Sequence, residues 1–222
     1  KNELYEELKR QILTLKLSPG ESMEEVNLCN EYNISRTPLR EILQKLAGEG
    51  YVELVKNRGA TVSSMDYKTL RNFFATAPMM YSAVGRLAAK NATQSQVKEL
   101  QKAQANFIKA NKKKDIDGMS LYNNRFHRLI GEMANNDYLM PSYDRLLIDH
   151  ARIGQTFFHA ISKEMLKDLK EVSKHHDKMI QCIIEGDSEG MVILTQEHWR
   201  LAKGHLEMYV GPDPLPDSMS EE

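Results

Sequence analysis

Arg36, Arg40 and Gln44 stand four residues apart in and just beyond the stretch Ile34-Ser35-Arg36-Thr37-Pro38-Leu39-Arg40-Glu41-Ile42-Leu43. On a helix that spacing gathers two guanidiniums and an amide on one polar face. A guanidinium can fork onto the acceptor edge of guanine in a major groove, so the chemistry on offer is the reading of duplex DNA. A second set lies further on. Asn123 precedes His127 by one helical turn, His176 opens a stretch with Met179, Ile180 and Ile183, and His198 follows after 21 intervening residues. Imidazoles converging from several helices can hold a divalent metal. On spacing alone the metal reading is weak, and a histidine is more often a hydrogen-bonded or exposed side chain than a ligand.

The elements that must position the first set are short. Leu4, Leu8, Ile12 and Leu15 predict a first helix, which Leu17-Ser18-Pro19-Gly20 breaks. Met23 to Tyr32 predicts a second, with Val26 and Leu28 as core contacts. Ser35 suits the N-cap of a third by offering its hydroxyl to free backbone N–H groups, and Pro38 fits the first turn. Leu39, Ile42, Leu43 and Leu46 define its buried stripe. Glu49-Gly50 suits its C-terminal end. Tyr51 to Val55 and Ala60-Thr61-Val62, joined by Lys56-Asn57-Arg58-Gly59, predict a β-hairpin whose tip carries Lys56 and Arg58. Three helices and a hairpin make a winged helix-turn-helix over residues 1–65.

Ser63-Ser64-Met65-Asp66 reads as a junction to a second domain over 66–210. Its predicted helices run from Leu70 through Ala88, with a kink or break at Pro78. They continue from Gln94 to Asn111, Asp115 to Ala134, Tyr138 to Ile161, Lys163 to Glu185 and Asp187 to Tyr209. The lysines 112–114 suit a solvated helix C-terminus. No strand pattern interrupts this half, so the expected fold is mainly α: a winged helix-turn-helix joined to an antiparallel all-α bundle. The proline-rich acidic end, 211–222, reads as disordered.

Composition sets the outer limits. The 222 residues carry a net charge of −1, and in the first 65 residues nine basic side chains face ten glutamates. DNA contact must therefore come from a local cluster, for which Arg36, Arg40, Lys45, Lys56 and Arg58 are the candidates. Cys29 and Cys182 read as reduced thiols of a cytoplasmic protein. No apolar run is long enough for a membrane span, and no signal peptide is visible. Because helical pattern begins almost at Lys1, a short native N-terminus is expected to be missing.

Residues 4–63 resemble the N-terminal domain of GntR-type bacterial transcription regulators. The matching positions are Leu17-Ser18-Pro19-Gly20, Ser35-Arg36-Thr37-Pro38, Arg40-Glu41, Leu43, Leu46, Glu49-Gly50 and Arg58-Gly59. The resemblance implies a homodimer reading a palindromic operator in double-stranded DNA. It puts contacts on Arg36, Thr37, Arg40 and Gly59, with Arg58 beside them; Ser35, Gln44 and Lys56 complete the expected interface. Some relatives carry a further DNA-contacting arginine where this chain has Val26.

Residues 66–210 look like the effector domain of the FadR-like subgroup, called FCD. Its metal-binding members carry Asp or Asn, three residues and then His, with two later histidines 21 residues apart. Asn123, His127, His176 and His198 fit that pattern. The resemblance implies a metal, Zn²⁺ or Ni²⁺ for a set of three imidazoles, and a small carboxylate as effector. Relatives often carry an arginine and a glutamate on the first bundle helix, where Ala77 and Tyr81 stand here. Tyr81 and Arg152 are the expected effector contacts. The implied function is a metabolite-controlled transcription factor, a repressor, and not an enzyme. Two other readings remain open at this point. One is a regulator without metal that senses an acyl or other apolar ligand. The other is a metal-dependent hydrolase, against which no HExxH pairing and no nearby general base stand out.

Overall fold

A computed structural model describes residues 2–159 and 163–203, which hold nine helices and three short strands. The predicted tail 211–222, and the parts of predicted helices beyond 159 and 203, lie outside the described residues.

The first domain forms around α1 (Asn2–Leu13), α2 (Glu25–Glu31) and α3 (Arg36–Glu49). Leu4, Leu8 and Ile12 of α1 meet Leu39, Ile42, Leu43 and Leu46 of α3 in one core. The sheet has one strand more than predicted. β1 (Ser22–Glu24) pairs antiparallel with β3 (Gly59–Val62), which also pairs with β2 (Val52–Val55), giving the order β1-β3-β2. The predicted second helix thus loses its first residues to a strand. Met23 is the buried centre of β1, with exposed neighbours on either side, so a period of two wins there. Val26 is exposed, not core; Leu28 anchors α2, with Cys29 packed beside it. Gly50 ends α3 in the left-handed region (φ 87°), where its N–H and that of Tyr51 reach back to the last turn.

The second domain packs α4 (Tyr67–Asn91), α5 (Gln94–Lys113), α6 (Ile116–Ala134), α7 (Met140–Phe158), α8 (Lys163–Glu185) and α9 (Ser188–Lys203). Local chemistry sets several starts. Asp66 and Asp115 accept from backbone N–H groups of their helices, and Thr93 with Gln96 forms a capping box. Pro78 does not break α4. Phe74, Ala77 and Tyr81 are buried on both sides of it, and that packing outweighs the lost backbone bond. The core of α4, α6, α7, α8 and α9 is continuous.

Helix α7 belongs to both domains. Ile148 and Ala151 join the core of the first domain, while Tyr143, Leu147 and Ile153 join that of the second. Among the described residues, no helix is long and apolar enough to cross a membrane.

Candidate DNA-reading face and imidazole site

Arg36, Thr37, Arg40 and Gln44 all lie exposed along α3, on the side away from its apolar stripe. Ser35 holds the N-cap position with extended backbone, but its hydroxyl makes no cap bond, contrary to expectation. Arg40 is already engaged: its guanidinium forks onto Glu25 of α2 at 2.8 and 2.9 Å. Glu25 is held below its usual carboxylate range chiefly by that hydrogen bond. Lys56 and Arg58 stand exposed at the hairpin tip, where Asn57 takes a left-handed turn position (φ 61°). Lys45 does not join them, because its ammonium sits 3.7 Å over the ring of Tyr5.

Gly59 stands differently from these exposed side chains. It is buried in the central strand, between β1 and β2, at φ 132°. A Cβ there would meet the carbonyl oxygen of Met23 at 2.2 Å. Strand packing requires glycine there.

Within the bundle, His127 of α6, His176 of α8 and His198 of α9 come together. One ring nitrogen from each lies within 4.8 Å of the others. The ring centroids form a near-equilateral triangle, with His127–His176 at 5.3 Å, His127–His198 at 5.4 Å and His176–His198 at 5.2 Å. Asn123, one turn before His127, is buried with it. Each of these four side chains has a buried atom without a hydrogen-bond partner among the described residues: Asn123 Oδ1, His127 Nε2, His176 Nε2 and His198 Nδ1. Buried polar atoms are rarely left so, and four lone-pair donors on converging side chains are what a metal cation requires.

The surroundings prepare His176 for that role. Gln104 of α5 donates from its amide nitrogen to the Ser173 carbonyl and to Asp177 Oδ1, both at 3.0 Å. That turns its amide oxygen toward His176 Nδ1 at 2.9 Å. Nδ1 then carries the hydrogen and Nε2 keeps its lone pair. Burial, reinforced by the neighbouring imidazoles, holds His127 and His198 well below their ordinary range. It pushes His176 down to about 3. All three are thus neutral near pH 7, the form that ligates.

Two residues here were missed by sequence reasoning. His150 of α7 is buried, with its ring centroid 4.6 Å from that of His127, and burial pushes it to about 3. His175 lies 5.7 Å from His198. A signal for the first existed. Asp149-His150-Ala151-Arg152 interrupts an apolar helix with three polar groups, and interior polar groups need partners. Tyr81 meets His150: its hydroxyl lies 2.9 Å from Nδ1, and its ring packs on Tyr143 and Trp199.

Arg152 is the clearest departure from expectation. It is fully buried, not open to a ligand; its guanidinium donates to the Ser63 carbonyl at 2.6 Å and to Asp149. It ties the interdomain junction to α7. On that helix it lies two positions from His150, on roughly the opposite side.

Two small cavities flank the imidazoles. One of about 30 Å³ is bounded by Asn123, His150, His198 and Trp199, the other of about 10 Å³ by Tyr81, His127 and His198. Neither wall includes an Asp or Glu among the described residues. A larger cleft of about 480 Å³ lies between the domains, with Tyr5, Lys9 and Glu49 facing Arg128 and Asp144.

Comparison with known proteins finds two family matches in the chain. Residues 1–62 match the model described as bacterial regulatory proteins, gntR family, and residues 79–201 match the FCD domain. The chain is 28% identical over 166 residues to the HTH-type transcriptional repressor RspR of Escherichia coli K12, covering 74% of this chain and 72% of that protein. It is 24% identical over 201 residues to the gluconate operon transcriptional repressor of Bacillus licheniformis, covering 90% and 82%. The solved structure of E. coli McbR/YncC shares the fold, with a TM-score of 0.76, 20% identity and coverage of 93% and 95%.

Proposed function

Because the chain belongs to the GntR family of bacterial regulators and carries an FCD domain, and so is a DNA-binding transcriptional regulator and not an enzyme, we propose that it is a metal-dependent repressor controlled by a small carboxylate. The observation that carries this reading is the imidazole triangle with its four unpartnered buried donor atoms.

Asn123, His127, His176 and His198 would hold the cation, and Zn²⁺ or Ni²⁺ suits a set of three imidazoles and one amide oxygen. When bound, the metal supplies a buried positive charge and coordination positions open to an anion. Every proposed ligand is neutral, and among the described residues the adjacent cavity walls bring no carboxylate. A dication there stays uncompensated unless an anion enters, and that is the physical argument for a carboxylate effector. The name of the B. licheniformis relative, which ties it to a gluconate operon, is in keeping with an acid as effector.

On the DNA side, Arg36, Thr37, Arg40 and Gln44 form the reading face. Lys56 and Arg58 approach a phosphate or the minor groove, and the open N-terminus of α3 at Ser35 is free for a phosphate. Arg40, the exposed partner, must exchange the largely covered Glu25 for a base. A homodimer would place two such heads on the halves of a palindrome.

Two measurements test the reading. Elemental analysis of untagged protein should give about one Zn or Ni per chain, lost in the His127→Ala/His176→Ala variant. Selection from randomised duplexes should recover an inverted repeat, for which Arg36→Ala and Arg40→Ala lower affinity roughly 10- to 100-fold. Glu25→Gln should not weaken binding. Absence of metal after dialysis against either ion refutes the metal site, and unchanged affinity in both arginine variants refutes the reading face.

A further inference from the structure

After the ligand set is filled, two buried imidazoles, His150 and His175, and one buried indole N–H remain beside it, and of the two imidazoles His150 lines the cavity. His150 stands outside the group whose nitrogens converge, yet lines the same cavity as Asn123 and His198. Tyr81 occupies its Nδ1. Among the described residues the Tyr81 hydroxyl hydrogen has no other acceptor, so the hydroxyl donates and Nδ1 accepts. The ring hydrogen of His150 then sits on Nε2. That tautomer is the wrong one to ligate a cation through Nε2 and the right one to donate to an oxygen. Trp199, next to His198 on α9, lines the same cavity, and its buried Nε1–H has no partner among the described residues. An indole nitrogen can only donate. Two N–H donors beside a neutral metal set, in a pocket otherwise walled by groups such as Phe157 and Phe158, match the two oxygens of one carboxylate.

We infer that His150 and Trp199 are the residues that recognise the effector's carboxylate, and that the pocket takes a short-chain acid. The inference rests on the metal-site reading above. The size argument comes from the cavity of about 30 Å³, which leaves little room beyond the carboxylate itself. Tyr81 acts through His150 by fixing its tautomer and is a positioning residue.

The experiment uses the full chain loaded with Co²⁺, whose visible absorption reports its ligands, and titrates it with acetate and separately with gluconate. The expected result is an acetate-dependent change in the spectrum, with gluconate weaker. His150→Phe should raise the acetate Kd about tenfold or more, and Trp199→Phe, which keeps an aromatic ring but loses the N–H, should raise it severalfold. Co²⁺ affinity should stay within about threefold in both variants. His150→Gln, which restores a donor, should recover part of the loss.

Acetate affinity unchanged in both variants overturns the assignment. So does loss of Co²⁺ in a folded His150→Phe protein, which would make His150 a ligand. A loaded wild-type protein that ignores acetate overturns the carboxylate class while leaving the metal site standing. Failure of the wild-type chain to take up Co²⁺ removes the metal site and this inference with it.

Discussion

Four imidazoles held neutral in one core make protons a denaturant for this domain. An unfolded histidine takes up its proton near the ordinary value of 6.5, whereas His150 and His176 do so only near 3 and His127 and His198 well below 6.5. Between those values the unfolded chain binds more protons than the folded one, so stability falls as pH falls through that window. Urea titrations of metal-free protein at pH 7, 6 and 5 should show a declining midpoint. His150→Phe should flatten the decline by removing one of the protons; an unchanged slope would mean that this ring is protonated in the fold. The convergence of His127, His176 and His198 was legible because their spacing fits a family pattern. His150 was not, because its partner, Tyr81, is 69 residues away in sequence and on another helix. The tautomer that gives it a role is a tertiary fact.

At the scale of elements, α7 explains most of what the sequence left hidden. Amphipathic periodicity located the helices of the bundle to within a few residues, and the capped starts at Asp66, Thr93 and Asp115 show why. Periodicity reports only that a face is buried, not which partner covers it. In α7 one face joins each domain, so Arg152 read as an effector contact when it is among the most deeply buried of the described residues. The strand β1 was missed for a related reason: three residues are too few for an alternation to register, and only pairing with β3 defines them. The Arg152–Asp149 pair carries a direct test. Arg152→Met strands the Asp149 carboxylate with only the half-exposed Arg145 for company. It should cost about 3–5 kcal/mol in chemical denaturation. Arg152→Met/Asp149→Asn should recover part of that cost, and a strictly additive double variant would show that the two side chains do not act as a pair.

For the whole molecule, the proposed metal and effector site and the DNA head are linked through packing that crosses the domain junction. If the cation binds the folded chain alone, saturation at about a thousandfold excess over Kd adds roughly 4 kcal/mol to its stability. A chelator should therefore lower the melting temperature of the wild-type protein and leave that of His127→Ala/His176→Ala unmoved. Equal shifts in both would place the chelator's action elsewhere. Light scattering should give twice the 25.5 kDa chain mass if two heads are to span a palindrome. An effector can change DNA affinity only by binding differently to DNA-competent and incompetent arrangements. Helix α7, with His150 toward the imidazoles and Arg152 toward the junction, is the physical route by which it can do so.

The participation of Ile148 and Ala151 in the first domain's core has a practical side. The boundary near residue 65 is a boundary of sequence but not of packing, so the head is not a detachable part. A fragment that stops at the junction forfeits two core residues and the guanidinium that satisfies the Ser63 carbonyl. A hybrid regulator, with this head grafted on a relative's bundle, inherits whatever side chains that bundle's equivalent helix presents. Hybrids that carry Ile148, Ala151 and Arg152 across with the head should respond to the borrowed effector, whereas those joined at the linker alone should bind DNA without listening to it.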